Sequence, residues 1–228
     1  NPRIRNIVRL RDDKKQRQSD GLMLVEGYDE LSLALAAGYF PRTLLIAPEL
    51  IRRETMDVTT EILTVSSAVF RRMSYRENPD GWLGIFPIPR ISLDDLKLGA
   101  APLIIVTESV EKPGNLGAMA RTSAAAGVAA LLVADEQVDA FNPNAIRAST
   151  GAVFSLPIIS DSSDTLIAYL KQHGIRIVAA SPDAKQAYTD AAMTGPLAIV
   201  IGAEDAGLTQ KWRDAADVLV KIPMRTGA

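Results

Sequence analysis

Residues 103–127 read LIIVTESVEKPGNLGAMARTSAAAG, and this stretch decides the fold of the second half of the chain. Its first seven residues, which begin with the apolar run LIIV, are typical of a buried strand, and a glycine turn then leads into a predicted helix over 116–126. Arg121 stands among small residues in that helix. Because a buried arginine is costly unless it is paired or meets an anionic ligand, Arg121 is a candidate functional residue.

Two phosphate-binding patterns are absent from this stretch. A dinucleotide fingerprint needs G-x-G-x-x-G directly after a strand, and a phosphate loop needs G-x-x-x-x-G-K-[ST]. Neither spacing occurs here, which disfavours a nicotinamide-dependent enzyme. The small residues Gly117, Ala118 and Ala120 are explained by tight packing of the helix against a sheet, but Asn115 and Arg121 are not.

Further along the chain, apolar strands alternate with helices. Strands are predicted at 129–134, 156–159, 175–181, 197–202 and 218–223, with helices at 142–149 and 164–172. Continuous apolar strands separated by helices indicate a parallel sheet covered on both faces. Ligands of such sheets bind at the carboxyl ends of the strands. Three stretches follow strands there: TESVEKPGNLGAMART (107–122), IGAEDAGLT (201–209) and IPMRTGA (222–228).

The first part of the chain has its own alternation of strands and helices. Strands are predicted at 22–25, 42–47, 62–65 and 82–88, with helical segments at 3–18, 28–37 and 66–73. This pattern predicts a small α/β domain. The fold class is therefore α/β with three segments along the chain: a domain at 1–90, a linker at 91–101 and a parallel-sheet domain at 102–228.

Composition limits the classes of protein to consider. The 228 residues include no cysteine and one histidine, which excludes disulfides and argues against a metal site. No apolar run approaches the roughly 20 residues that span a bilayer, and no signal peptide opens the chain, so we expect a cytoplasmic protein without membrane contact. Since the first residue is not Met, we also expect a trimmed N-terminus.

Charge is spread unevenly along the chain. The formal net charge is −2, but residues 1–20 hold seven Lys and Arg residues against three Asp residues. A local basic patch can guide a polyanion whatever the total charge. A solvated helix face explains the same pattern, and charge alone leaves both interpretations open.

Taken in order, the three stretches resemble the three motifs of the SpoU, or TrmH-type, branch of the SPOUT RNA methyltransferases. The matching residues are NLGAMART (115–122), IGAEDAGL (201–208) and IPMRTGA (222–228). The first half is similar to that family's substrate-binding domain, which resembles ribosomal protein L30e. The run LRDDKKQRQSDGLMLVEG (10–27) is similar to the usual opening of that domain.

The resemblance implies an enzyme that uses S-adenosyl-L-methionine to methylate a ribose 2′-hydroxyl in RNA. It favours ribosomal RNA, 23S in particular, over transfer RNA. It also implies a homodimer formed through the catalytic domain, a C-terminal trefoil knot and no metal. The alternative is an RNA-binding or ribosome-assembly protein that keeps the fold without catalysis.

The resemblance also implies roles for individual residues. Arg121 acts on the 2′-hydroxyl as a base or as a phosphate-assisted activator, Asn115 fixes the loop and that arginine, and Glu204 lies near the site. The cofactor is held by backbone around Gly202 and Ile222, with Ala180 and Met224 lining the pocket. With an RNA substrate, expected backbone contacts are Arg9, Arg11, Lys14, Arg17 and Arg147, although a surface salt bridge explains Arg147 equally well.

One departure from the family pattern stands at the end of the sequence. In the family, IPMRTGA leads into a serine–leucine–asparagine stretch and a last helix that complete the site and the knot. The sequence stops before them. We therefore expect that the C-terminal part of the catalytic domain is missing and that the knot is incomplete in this chain.

Overall fold

The N-terminal part of the chain folds around a mixed sheet. The computed structural model describes residues 1–52 and 56–224. The elements of this part are α1 (Pro2–Asp12), α2 (Lys14–Asp20), β1 (Leu22–Glu26), α3 (Tyr28–Ala36), β2 (Thr43–Ile46), β3 (Glu61–Thr64), α4 (Ser67–Met73) and β4 (Trp82–Pro87). Within the described residues this sheet has four strands in the order β1-β4-β2-β3. Only the β2–β3 pair among them is parallel.

The remainder of the chain builds a parallel sheet. Its elements are β5 (Leu103–Glu108), α5 (Pro113–Ala125), β6 (Ala130–Ala134), α6 (Pro143–Ala148), β7 (Ile158–Asp161), α7 (Ser163–Gln172), β8 (Arg176–Ala180), β9 (Gln186–Ala187), β10 (Leu197–Ile201), α8 (Gln210–Ala215) and β11 (Val218–Lys221). In the described part of the chain the strand order is β7-β6-β5-β10-β8-β11-β9, with every neighbouring pair parallel. The predicted α/β fold with a parallel sheet is confirmed.

The chain separates into two compact units, each assembled from three segments. Unit 1 contains residues 1–90, 113–121 and 139–155, and unit 2 contains residues 91–112, 122–138 and those from 156 onward. The domain boundaries predicted from the sequence remain a prediction, because each unit is defined by contacts between residues and combines separate segments of the chain. Among the described residues, no helix is both long and apolar enough to cross a membrane.

Unit 1 has a hydrophobic core between the mixed sheet and its helices. Leu24, Leu45 and Leu83 from the strands meet Phe70 and Met73 from α4, and all five are at most 2% exposed. α4 begins where predicted, since the Ser66 hydroxyl accepts a hydrogen bond from the Val69 N–H. The strands of this unit and helix α4 therefore form where the sequence predicts them.

A buried ion pair joins two distant segments inside unit 1. Arg17 is 1% exposed, and its Nη2 lies 2.6 Å from Oδ2 of Asp139, which is 8% exposed. The Nε of Arg17 donates to the same oxygen, and Nη1 donates to the carbonyls of Leu10 and Arg11. All three guanidinium nitrogens thus take part in holding the segment that begins at Asp139 to the first two helices.

Small residues bring helices α5 and α6 together in the same unit. A Cβ atom on Gly117 would collide with the Ala145 carbonyl oxygen and the Ala148 side chain. The small residues of α5 therefore allow a close approach to another helix, where the sequence suggested packing against a sheet.

Unit 2 packs its helices against the parallel sheet. The core includes Leu132, Ala179, Val200 and Trp212, all completely buried. The indole N–H of Trp212 donates to the Ser163 hydroxyl at 2.8 Å, so α8 is tied to the start of α7. Because this N–H has a hydrogen-bond acceptor, the indole can be completely buried.

Two local predictions are wrong, and two elements were missed. Helix α5 begins at Pro113 rather than at residue 116, because proline suits the first helical position and the glycines continue the helix. The expected helical segment over 3–18 is broken at Asp13, which is extended and whose carboxylate accepts from the Lys15 N–H. Helix α8 and the two-residue strand β9 were not predicted.

We predict that Asp139→Ala lowers the free energy of unfolding by about 3 kcal/mol, because it leaves the Arg17 guanidinium buried without its carboxylate. The matched control is Glu61→Ala, which removes the carboxylate of the exposed Arg3–Glu61 pair and should cost less than about 1 kcal/mol. Urea unfolding of both variants measures the difference. Equal losses would show that the buried pair has no special role.

Candidate active site

Three predicted cofactor-binding positions lie at one edge of the parallel sheet. Ala180 is the last residue of β8, Gly202 follows β10, and Ile222 follows β11. Strands β10, β8 and β11 are neighbours, with Val200 opposite Ala179 and Val220 opposite Ala180. Because all three strands are parallel, their carboxyl ends emerge side by side. The structure therefore brings these segments together as the sequence predicted.

Apolar side chains are exposed beside this edge. Ile222 is 65% exposed and Met224 is 76% exposed. Residues 225–228 of the third motif lie outside the described residues. Exposed apolar side chains at the ends of parallel strands suit a ligand that has a flat ring.

The loop after β10 is tightly folded. Ala203 and Gly207 exchange two backbone hydrogen bonds, at 3.1 and 3.0 Å. Gly207 has a φ of +67°, and a Cβ on Gly202 would collide with the Gly207 backbone. Glycine at both positions is therefore required for the loop to close on itself.

A buried carboxylate anchors the far end of this loop. Glu108, the last residue of β5, is 1% exposed. It accepts hydrogen bonds from the Thr209 N–H at 2.8 Å and from the Thr209 hydroxyl at 2.7 Å. Thr209 precedes α8, so Glu108 fixes both the loop that carries Glu204 and the start of that helix. Glu108 is a positioning residue that sequence reasoning missed.

Glu204 lies on the exposed side of the same loop. Its carboxylate is 2.5 Å from Nζ of Lys112, and both side chains are more than 60% exposed. By accepting the hydrogen bond of the ammonium group, Glu204 raises the pKa of Lys112. Solvent screens this pair, so it orients the two side chains more than it stabilises the fold.

The other two predicted catalytic residues share helix α5. Asn115 lies in its first turn and Arg121 in its second half, and both are exposed. A spacing of six residues places them about 9 Å apart along the axis and about 120° apart around it, so the helix itself does not align them. Within the described residues, the Arg121 guanidinium makes no hydrogen bond or ion pair. Both residues belong to segment 113–121 of unit 1.

The expected RNA contacts separate into two groups. Arg9 and Arg147 are exposed, and Lys14 is partly exposed. The Arg11 guanidinium already has partners within the protein. It pairs with Asp12, which raises the pKa of Arg11, and it donates to the carbonyls of Arg72 and Ser74. Arg17 is buried on Asp139, so its guanidinium does not reach solvent in this structure and the expected RNA contact there is wrong.

Comparison with known protein families gives two matches that together span most of the chain. The sequence profile of the SpoU rRNA Methylase family matches residues 102–228. The profile of the MRM3-like substrate binding domain matches residues 1–84.

Individual relatives match over the full length of the chain. The 23S rRNA (uridine(2479)-2'-O)-methyltransferase of Streptomyces viridochromogenes is 29% identical, with 100% of this chain and 84% of the relative covered. A crystal structure of an RNA 2'-O ribose methyltransferase is 38% identical, with a TM-score of 0.87 and coverage of 100% and 89%. The SpoU methyltransferase AviRb from Streptomyces viridochromogenes, in complex with AdoMet, is 27% identical, with a TM-score of 0.91 and coverage of 100% and 91%.

We predict that Glu108→Ala lowers the free energy of unfolding by about 2–3 kcal/mol, because it leaves two Thr209 donors without their buried acceptor. Glu111→Ala, which removes an exposed carboxylate three residues further on, is the control and should change stability by less than about 0.5 kcal/mol. Chemical unfolding compares the two. A Glu108→Ala variant as stable as the control would contradict the anchoring role.

Proposed function

The chain belongs to the SpoU rRNA methylase family, and we propose that it transfers the methyl group of S-adenosyl-L-methionine to a ribose 2′-hydroxyl of 23S ribosomal RNA. The observation that carries this proposal is the full-length match to AviRb, whose structure holds AdoMet. The name of the relative from Streptomyces viridochromogenes supports 23S ribosomal RNA as the substrate.

The edge formed by β8, β10 and β11 fits the proposed cofactor. A nucleoside needs backbone donors and acceptors for its base and ribose and an apolar surface for its ring. The backbone of the loop that begins at Gly202 is proposed to supply the first requirement, and exposed Ile222 and Met224 supply the second. Ala180 adds a small side chain at the end of β8, which lies between β10 and β11 in the sheet. The bound cofactor supplies an electrophilic methyl group on a sulfonium, so no metal is needed to activate it.

Arg121 is the residue we assign to the RNA hydroxyl. A guanidinium stays protonated under ordinary conditions, so the role of a free base is difficult for it. An unpaired, exposed arginine is instead suited to gripping an RNA phosphate and lowering the pKa of the adjacent hydroxyl through its positive charge. Asn115, in the first turn of the same helix, and Glu204, in the loop after β10, are proposed to position the reacting groups.

The proposed RNA surface is smaller than the basic sequence suggested. We retain Arg9, Lys14 and Arg147, whose side chains reach solvent, as contacts to the RNA backbone. Arg11 and Arg17 are left out because their guanidinium groups hold the protein together.

Four further properties of the proposed enzyme come from the family resemblance or from the composition of the chain. We propose a homodimer that forms through the catalytic domain, a C-terminal trefoil knot in that domain, activity in the cytoplasm, and transfer without a metal ion. The domain division at residues 1–90 and 102–228 belongs to the same proposal.

We predict that Arg121→Ala reduces methyl transfer from labelled S-adenosyl-L-methionine to 23S rRNA by about 100- to 1,000-fold, because the charge that stabilises the developing alkoxide is lost. Arg42→Ala, at an exposed arginine ahead of β2, is the matched control and should keep wild-type activity. Calorimetry should show that Arg121→Ala still binds the cofactor with unchanged affinity.

Two results would contradict the proposal in different ways. Near wild-type turnover by Arg121→Ala would remove the assignment of that residue. A wild-type protein that binds RNA tightly but does not bind S-adenosyl-L-methionine would favour the non-catalytic RNA-binding alternative.

A further inference from the structure

We propose that a cleft in unit 1, whose lining includes none of the residues assigned to methyl transfer, binds one unstacked nucleotide of the RNA substrate. The cleft has a volume of about 540 Å³ and is lined by Tyr75, Arg76, Glu77, Asn78 and Arg147. Its volume lies in the range of about 300–1,000 Å³ that small-ligand sites occupy. This inference rests on the proposed function, because it requires that the substrate is RNA.

The chemistry of the lining fits a nucleotide. Tyr75 is 43% exposed, and an exposed aromatic ring offers a stacking surface for any base. Asn78 and Glu77, also exposed, provide an amide and a carboxylate that can pair with the edge of a base. The lining holds no aliphatic side chain, which disfavours an apolar peptide as the occupant.

Charge assigns the phosphate to Arg147. The Nη2 of Arg76 lies 2.6 Å from Oε1 of Glu30 and also donates to the Glu26 carbonyl at 3.0 Å, so its charge is already compensated. The Arg147 guanidinium is exposed and has no such partner among the described residues. An arginine in this state offers a fork of donors that matches a phosphate. Of the two arginines in the cleft, Arg147 is therefore the anion contact.

The loop that carries Tyr75 is fixed by hydrogen bonds to other residues of unit 1. Glu26, 8% exposed, accepts hydrogen bonds from the Tyr75 N–H at 2.7 Å and from the Ser74 hydroxyl. Burial raises the pKa of Glu26, although these two donors oppose the shift. Arg11 donates to the Ser74 carbonyl at 3.0 Å. The basic residue that the sequence suggested for RNA thus supports the loop instead.

The opposite wall is equally fixed. Arg147 is carried by α6, whose residues Ala145 and Ile146 are buried and whose first turn is capped by Asn142, at 2.9 Å from the Asn144 N–H. This helix packs against β1 in the same unit. Because both walls are formed in advance, a nucleotide would enter without the entropic cost of ordering a loop.

The first test is binding of labelled, in-vitro-transcribed 23S rRNA by filter retention at fixed salt. Tyr75→Ala should raise the Kd about ten-fold through loss of a stacked base, whereas Tyr75→Phe, which keeps the ring, should stay within two-fold of the wild type. Phe40→Ala is the matched control, because Phe40 is an aromatic residue 67% exposed that does not line the cleft. Equal affinity of Tyr75→Ala and wild type, or equal weakening by Phe40→Ala, would overturn the proposal.

The second test is the salt dependence of the same binding. Arg147→Ala should reduce the slope of log Kd against log salt by about one, as expected for one lost phosphate contact. Arg42→Ala is the matched control and should leave the slope unchanged. An unchanged slope for Arg147→Ala would remove its assigned role.

Failure of this inference can be told apart from failure of the proposed function. If the wild type methylates 23S rRNA and Tyr75→Ala does so with the same KM, only the cleft is wrong. If the wild type neither binds nor methylates 23S rRNA, the proposed function itself fails, and the cleft proposal with it. Each variant must also unfold thermally at the same midpoint as the wild type, measured by circular dichroism, which confirms that unit 1 is folded.

Discussion

The parallel pairing of β5, β10, β8 and β11 is the constraint on which the candidate active site depends. Parallel strands release all their carboxyl ends at one edge, so residues far apart in sequence emerge next to one another. Buried Glu108 then fixes Thr209, and Gly202 and Gly207 allow the intervening loop to fold on itself. Strand pairing thus brings the segments that follow β8, β10 and β11 to one edge of the sheet, which no single motif would achieve alone.

Buried and exposed arginines have different roles in this chain. A guanidinium keeps its charge in proteins, so Arg17 tolerates burial only because Asp139 and two carbonyls surround it. Arg121 and Arg147 are exposed and lack such partners among the described residues, which leaves their donors available to an RNA phosphate. Some of the basic residues among the first 20 therefore stabilise the fold, and this segment is not a uniform RNA-binding face.

Most helices and strands were predictable from short stretches of sequence. Hydrogen bonds and ion pairs between residues far apart in sequence were not. The apolar run of β10 and the Ser66 cap of α4 each identify an element within a few residues. The partner of Glu108 lies 101 residues away and that of Arg17 lies 122 residues away, so no periodicity reveals either pair. The motif positions at the sheet edge were found because strand ends mark them, and Glu108 could have been suspected only as a carboxylate ending a buried strand.

The location of S-adenosyl-L-methionine on the protein decides whether the carboxyl ends of β8, β10 and β11 form the cofactor site. A crystal structure of the protein grown with the cofactor would show it. We expect the adenosine among the segments that follow β8, β10 and β11, with backbone groups near Gly202 within hydrogen-bond distance. A cofactor bound at the amino ends of these strands, or away from the parallel sheet, would show that these segments do not hold it.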